Sequence, residues 1–209
     1  MYYFYALINA SRCGSLRPRT GIRVDGQPIE LNEFCHLGYM LKNNGSYEKD
    51  IQQRCAKSIS AFNYLTKCLW STLITNEVKL RVYLFAIHPI MVYGSESWAA
   101  PFTVLDRLDC TKRKLLRRLL GYFWHRVCHN EELYAEIGVV YQKITHGRYQ
   151  HLAPPSKVAT ENRLHFFGHI LRRPADRLVQ RVLRRLSDSS WKRPPGRKRK
   201  FWTEGLNMA

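Results

Sequence analysis

Apolar residues after position 46 recur at helical spacing, and this period constrains the fold more than any other feature of the chain. The recurring positions are Ile51, Cys55, Ile59, Phe62, Leu65 and Leu69. Because they are three or four residues apart, they predict one amphipathic helix of about five turns with a single apolar stripe. Ser46 and Glu48 suit the start of this helix. Such a stripe must be buried against other elements, so we expect a helical bundle.

A second and a third helix follow in the sequence. Thr75 is expected to cap a helix that carries Val78, Val82 and Phe85 on its apolar face, and Pro89 is expected to end or kink it. The third helix is predicted to open at residues 103–106 (TVLD), which resemble a capping box with Asp in place of Glu. Its apolar residues are Leu105, Leu108, Leu115, Leu116, Leu119 and Leu120. Gly121 is expected to end it.

The segments after residue 128 are predicted to be shorter and less regular. Asn130 is expected to cap a short helix that ends at Gly138. A helix over 160–172, stopped by Pro174, precedes a basic helix over about 175–186 and a Ser-, Pro- and Arg-rich tail.

The chain before residue 45 instead alternates with period two. Residues 21–24 and 27–31 flank Asp25-Gly26, a hairpin turn signal, and residues 34–41 are expected to form a third strand. We therefore expect a mainly α fold with a short N-terminal antiparallel β element, a helical bundle and a basic helical extension. The expected divisions are 1–45, a helical domain over 46–140, a linker over 141–159, and basic helices and tail over 160–209.

The charge of the chain is strongly positive and points to a polyanionic partner. There are 34 Lys and Arg against 16 Asp and Glu, a net charge of +18. Such an excess is typical of nucleic-acid-binding proteins. On the third helix and just after it, the candidate phosphate contacts are Lys112, Arg113, Lys114, Arg117, Arg118 and Arg126. The alternative is an ordinary solvated helix face. Such faces usually carry charges of both signs, whereas this run contains no acid.

A second basic segment lies near residue 200. Arg197, Lys198, Arg199 and Lys200 lie between Trp191 and Phe201-Trp202. Cations between aromatic rings can pair with phosphates and stack on bases, so we expect an auxiliary binding arm. A nuclear-import signal and a solubilising tail are the other interpretations.

Catalytic and metal-binding patterns are weak in this sequence. Two-metal phosphoryl chemistry needs clustered carboxylates, and no two Asp residues are adjacent. His125, Cys128 and His129, or His165 and His169, are conceivable zinc ligands, although their spacing matches no known finger. The six scattered cysteines include no CxxC pair and are expected to be reduced. No apolar run reaches the length of a membrane span, and no membrane association is expected.

Several ordered sequence blocks resemble the reverse transcriptases of non-LTR, RTE-like retrotransposons. They are residues 34–39 (FCHLGY), 60–65 (SAFNYL), 90–98 (IMVYGSESW), 113–121 (RKLLRRLLG), 163–172 (RLHFFGHILR) and 195–202 (PGRKRKFW). His36 stands where the family usually has Tyr. Each block alone is weak, whereas their order over about residues 10–204 is specific.

The resemblance implies the end of a palm, a primer grip, a thumb and a basic C-terminal region. The primer grip would be Phe34, Cys35, His36, Leu37 and Gly38. The family's Tyr-x-Asp-Asp motif is absent, so we expect a truncated RNA-directed DNA polymerase, inactive alone. No cofactor is expected in this chain, although the full-length family enzyme uses Mg²⁺.

The expected partners are an RNA template and a DNA primer, with a nuclear or cytoplasmic location and an open oligomeric state. Two alternatives belong to other classes. One is a non-catalytic basic helical protein that binds a protein partner. The other is a zinc-dependent nucleic-acid module.

Overall fold

A computed structural model describes residues 22–24, 27–29, 33–36, 38–42, 47–69, 71, 73–122 and 127–181. The strands are β1 (Ile22–Val24), β2 (Gln27–Ile29), β3 (Glu33–His36) and β4 (Tyr39–Lys42). The helices are α1 (Glu48–Leu69), α2 (Asn76–Val82), a π-helical turn (Tyr83–Ile87), α3 (His88–Val92), a 3₁₀ turn (Ser95–Ser97), α4 (Phe102–Leu119), α5 (Asn130–Ile144) and α6 (Pro155–Leu171). Among these residues, no helix combines the length and apolarity that crossing a membrane requires.

The fold is mainly helical, and the prediction that an N-terminal antiparallel β element forms part of the fold class is wrong. The strands have three or four residues each and form two separate pairs, β1 with β2 and β3 with β4. Two-stranded ribbons of this length are marginal in isolation because each strand has a single neighbour. The apolar core is formed by helical residues instead.

The segment 34–41 differs from its predicted single strand. It is divided between β3 and β4, which pair with Phe34 opposite Leu41 and His36 opposite Tyr39. Gly38 lies between them with φ of 77°, a conformation that glycine adopts without steric cost. The glycine therefore reverses the chain where alternation alone predicted a continuous strand.

The chain divides into two compact units. Unit 1 contains Met1–Asp50, Ser97–Ala100 and Arg163–Ala209, and unit 2 contains Ile51–Glu96 and Pro101–Asn162. The core of unit 2 is formed by Phe62, Leu80, Tyr83, Ile87, Leu115, Leu116, Leu119, Cys128, Leu133 and Ile137. These residues come from α1, α2, the π-helical turn, α4, α5 and the segment before α5, so the predicted burial of apolar helix stripes against one another is confirmed for this unit.

Helix α2 begins as predicted but buries a different face. The Thr75 side chain accepts a hydrogen bond from the Val78 backbone N–H at 3.5 Å, which confirms the cap. The predicted apolar face is wrong at Val78, which is 48% exposed, and at Phe85, which is 89% exposed, whereas Val82 packs on the core. Leu80 and Tyr83 are fully buried in their place.

Pro89 does not end the helical run, which continues to Val92. Proline has no N–H, so it cannot donate to the carbonyl of Phe85 as an α-helix would require. The preceding turn is π-helical, with the His88 N–H donating to the Tyr83 carbonyl five residues earlier. This wider turn accommodates the proline and breaks the α-helical period that the sequence pattern assumed.

Helix α4 ends where the sequence predicts and begins earlier. Gly121 has φ of 80°, and the Tyr122 N–H donates to the Arg117 carbonyl at 2.8 Å, which confirms the glycine stop. The predicted capping box is wrong, because Pro101 precedes the first helical residue and no side chain caps it.

Helices α5 and α6 are both longer than predicted. Helix α5 passes through Gly138, where an added Cβ would lie 3.4 Å from the Gln150 carbonyl oxygen. This glycine permits a close approach of the backbone instead of ending the helix. Its N-cap is His129 rather than Asn130, with Glu132 completing a capping box.

Candidate nucleic-acid interface

Lys112, predicted to contact phosphate, lies in the interior of unit 2. Its side chain is fully buried, and its Nζ donates to the carbonyl oxygens of Leu152 and Ala153 at 2.9 and 3.0 Å. Burial lowers the pKa of this ammonium to about 8, although the nearby Asp109 carboxylate opposes the shift. We leave Lys112 out of the candidate contacts, because its ammonium already binds the segment before α6.

Asp109, one turn before Lys112, binds the start of α6. Its carboxylate accepts from the Ser156 backbone N–H at 3.0 Å and from the Ser156 hydroxyl at 2.6 Å. Both residues are buried. Asp109, Lys112 and Ser156 are therefore buried polar residues at a place where the sequence predicted an exposed basic face.

Two arginines of α4, Arg117 and Arg118, are also bonded within unit 2. The Arg117 guanidinium donates to the Cys128 carbonyl at 3.2 Å and to the Asn130 side chain at 2.7 Å. Arg118 donates to the Asn63 side chain at 3.0 Å and lies over the Phe62 ring. Half-buried guanidinium groups with such partners stabilise the packing of neighbouring helices.

The remaining predicted contacts on and after α4 have different placements. Arg113 is half-buried and lies 3.6 Å from the Asp106 carboxylate. Lys114 is exposed. Arg126 and the arm Arg197–Lys200 lie outside the described residues.

The predicted primer-grip residues lie around one chain reversal. Phe34, Cys35 and His36 belong to β3, and Gly38 forms the turn before β4. Cys35 is exposed, and Leu37 lies outside the described residues.

Four exposed arginines lie at and after the end of α6. We name Arg172, Arg173, Arg177 and Arg181 the arginine cluster. Within the described part of the chain, none of the four forms an ion pair with an acid, although Arg173 lies 2.7 Å from the His169 imidazole. Arg181 donates its backbone N–H to the Arg177 carbonyl, so these two share one side of a helical turn. One acid, Asp176, lies within the same ten residues.

Gln180 attaches this helical turn to the end of α6. Its side-chain amide donates to the Ile170 carbonyl and to the Leu171 carbonyl, both at 2.8 Å, and the residue is buried. Both carbonyls lie in the last turn of the helix, and that of Ile170 also accepts from the Arg173 backbone N–H at 3.0 Å. Gln180 therefore holds Arg177 and Arg181 in the same region as Arg172 and Arg173.

Replacement of Gln180 by leucine is expected to weaken binding to an RNA–DNA duplex several-fold without changing the charge of the chain. The Leu171 carbonyl loses its side-chain donor, the Ile170 carbonyl keeps only the Arg173 N–H, and the turn that carries Arg177 and Arg181 loses its attachment. Fluorescence anisotropy with a labelled duplex measures the effect. Asn162→Leu, which removes an amide that donates to Ser95 in unit 2, is the control, and an equal loss in both variants would contradict the positioning role of Gln180.

The candidate zinc ligands are not brought together in the described ranges. His125 lies outside them, and elsewhere in those ranges no three His, Cys, Asp or Glu side chains form a group suited to a metal ion. Cys128 is buried in the core of unit 2, and His129 caps α5. His165 and His169 are exposed on α6.

His88 is a titratable group that the sequence analysis did not identify. Burial, and secondarily the charge of Lys112, lowers its pKa from 6.5 to about 4. Its Nδ1 is buried and has no hydrogen-bond partner. The imidazole is therefore neutral in the folded protein at pH 7.

Unfolding free energy is expected to fall as the pH decreases from about 6.5 to about 4 because of His88. In this window the unfolded state binds a proton that the folded state does not, so stability rises with pH. Chemical denaturation at several pH values measures the slope. His88→Phe is expected to reduce it, whereas His165→Gln, at an exposed site, leaves it unchanged; equal slopes in wild type and His88→Phe contradict the assignment.

The residues that sequence reasoning missed are buried polar groups. Asp109, Ser156 and Gln180 belong to no sequence motif. Asp109 and Ser156 bond to each other across 47 residues of chain, and Gln180 bonds to the backbone carbonyl of Ile170, 10 residues earlier. The arginine spacing at 172, 173, 177 and 181 was visible as part of the predicted basic segment. No pattern indicated that Gln180 attaches this segment to a helix end.

Comparison with known proteins finds sequence similarity to a transposon-derived protein. The chain is 23% identical over 177 residues to a transposon-derived protein of Caenorhabditis elegans. The match covers 85% of this chain and 60% of that protein, so the chain spans about 60% of the length of its relative. No family model and no solved structure matches the sequence. The similarity supports a transposon-related origin for the chain.

Proposed function

We propose that this chain is the thumb and C-terminal region of a non-LTR retrotransposon reverse transcriptase and binds an RNA template–DNA primer duplex through its phosphates. The arginine cluster is the observation that carries the proposal. Its four guanidinium groups are exposed and have no acidic partner among the described residues, so they are available to a polyanion. The ordered sequence blocks and the transposon-derived relative support the same origin.

Arginine is suited to this role because of its geometry. The planar guanidinium donates two parallel hydrogen bonds to phosphate oxygens. Contacts of this kind position a duplex without reading its sequence. The proposed activity is therefore sequence-independent binding in the nucleus or cytoplasm, and polymerisation is not assigned to this chain.

The other predicted contacts are proposed separately from the arginine cluster. Lys114 of unit 2 is exposed and remains a proposed phosphate contact. Arg126, the arm Arg197–Lys200 and the grip residues 34–38 remain proposals that rest on the sequence. Arg113, Arg117 and Arg118 would contribute electrostatically, since their hydrogen-bonding groups are engaged within unit 2.

Replacing all four residues of the arginine cluster by glutamine tests the proposal. Binding to a 20-base-pair RNA–DNA duplex in about 0.1 M salt is expected to weaken about 100- to 1000-fold, because each lost phosphate contact also loses its counterion release. All four side chains are exposed, so the variant is expected to keep the thermal midpoint of the wild type.

A charge-matched variant separates location from net charge. The control replaces four exposed basic residues of unit 2 by glutamine and so removes the same number of positive charges. These residues are Lys57, Lys143, Arg148 and Lys157. This control is expected to lose less than tenfold in affinity. Equal losses in the two variants would show that only the total charge matters and would contradict the assigned surface. Absence of duplex binding by the wild type would reject the function itself.

A further inference from the structure

An apolar groove of about 590 Å³ lies on the surface of unit 2. Its lining residues are Arg81, Val82, Leu84, Phe85, Ala86 and Ile144. Val82, Leu84, Ala86 and Ile144 are partly buried and pack on the core of the unit. The groove therefore has a floor fixed by the core, and neither the predicted phosphate contacts nor the arginine cluster belongs to it.

Phe85 stands out among these lining residues because its side chain is 89% exposed. Burying a phenylalanine side chain is worth about 2–3 kcal/mol, so a ligand that covers this ring beside the apolar groove would gain binding free energy. The ring belongs to the π-helical turn Tyr83–Ile87, and such turns occur frequently at functional sites.

Arg81 supplies the charge of the groove. Its side chain is exposed and, within the described part of the chain, forms no hydrogen bond or ion pair. On the two elements beside the groove, Glu77 of α2 and Lys143 of α5 pair with each other at 3.8 Å. The groove thus combines an aromatic ring, an apolar floor and one available guanidinium.

We propose that this groove binds an unpaired nucleotide, with its base stacked on Phe85 and its phosphate paired with Arg81. A base offers a flat π face to an exposed ring, and its phosphate complements the positive charge. Bases within a duplex are already stacked on one another, so the ligand is a single-stranded segment, such as a template beyond the primed duplex. The inference rests on the proposed nucleic-acid function and adds a second, separate site.

An amphipathic acidic helix is the competing occupant and fits the groove less well. Helix-binding grooves are concave and receive several apolar side chains of the partner. Here the largest lining side chain, Phe85, is 89% exposed, so most of its ring surface is open to a ligand. A projecting ring is suited to stacking.

Aromatic and aliphatic replacements of Phe85 test the stacking. Phe85→Leu keeps an apolar side chain without a π face and is expected to weaken binding to a 12-nucleotide oligo(A) RNA about 5- to 100-fold. Phe85→Trp is expected to retain the affinity. Neither variant is expected to change binding to a blunt RNA–DNA duplex by more than twofold. Tyr64→Leu, at another exposed aromatic residue of unit 2, is the matched control.

The possible outcomes separate this proposal from the proposed function. If the wild type binds the duplex and Phe85→Leu binds oligo(A) as well as the wild type does, the groove proposal alone fails. If the wild type binds no nucleic acid, both fail. Binding of a Glu-rich amphipathic peptide that is lost in Phe85→Leu, with oligo(A) binding intact, would overturn the proposal in favour of a protein partner. Arg81→Gln is expected to weaken oligo(A) binding and to make it less dependent on salt.

Discussion

Asp109→Ala is expected to lower the free energy of unfolding by about 3–5 kcal/mol, because it leaves a buried cation without its counter-charge. Asp109 and Lys112 are both buried in unit 2, one turn apart on α4. The substitution also removes the acceptor of two hydrogen bonds from Ser156. Urea denaturation followed by circular dichroism measures the loss.

Two further variants test the cause of this destabilisation. Asp106→Ala removes a partly exposed carboxylate three residues earlier, and its cost is expected to stay below about 1 kcal/mol. Combining Asp109→Ala with Lys112→Met removes the unpaired charge and is expected to recover part of the loss. If the double variant is less stable than Asp109→Ala alone, the buried charge is not the cause.

Asp50→Ala is expected to cost about 3 kcal/mol, the second largest effect, by disconnecting three segments of unit 1. The fully buried carboxylate accepts from the Trp98 indole N–H at 2.9 Å and from the Met40 backbone N–H at 3.2 Å. Without it, two donors lose their acceptor in a region where water cannot replace it. Tryptophan emission and the urea midpoint measure the change.

Asp50→Asn is the conservative comparison for this site. The amide keeps one acceptor oxygen, so we expect about half the destabilisation of Asp50→Ala. Glu48→Ala, at an exposed position of the same helical turn, is expected to be near neutral. Equal stability of Asp50→Ala and Glu48→Ala would contradict the role given to the buried carboxylate.

The helices of unit 2 were predictable where a local signal determines them. The Thr75 cap and the glycine stop at Gly121 depend on hydrogen bonds within a few residues of the chain. The exposure of Phe85 was not predictable from an α-helical period, since Phe85 lies in the π-helical turn Tyr83–Ile87, where that period does not hold. Gly138 likewise serves the close approach of Gln150, which only the tertiary fold brings there.

The candidate site was predictable in its chemistry and less so in its location. An acid-free run on α4 is a sound signal for a basic face when a helix has one side in solvent. Here Lys112 and Arg117 donate hydrogen bonds to segments 11 to 41 residues further along the chain. The sequence pattern predicted instead that both side chains would be exposed to solvent. The side chains of the arginine cluster stay exposed, because the end of α6 is bonded by the Gln180 side chain and by backbone N–H groups.

The salt dependence of duplex binding tests the central claim most directly. Affinity for an RNA–DNA duplex is measured between about 0.05 and 0.3 M salt for the wild type and for the four-glutamine variant of the arginine cluster. For the wild type we expect a steep slope of the logarithm of the binding constant against the logarithm of the salt concentration. In the variant this slope is expected to become shallower by about 3, since each phosphate contact contributes about 0.7 to 0.9. A wild-type slope near zero, or the same slope in both proteins, would contradict phosphate binding by these arginines.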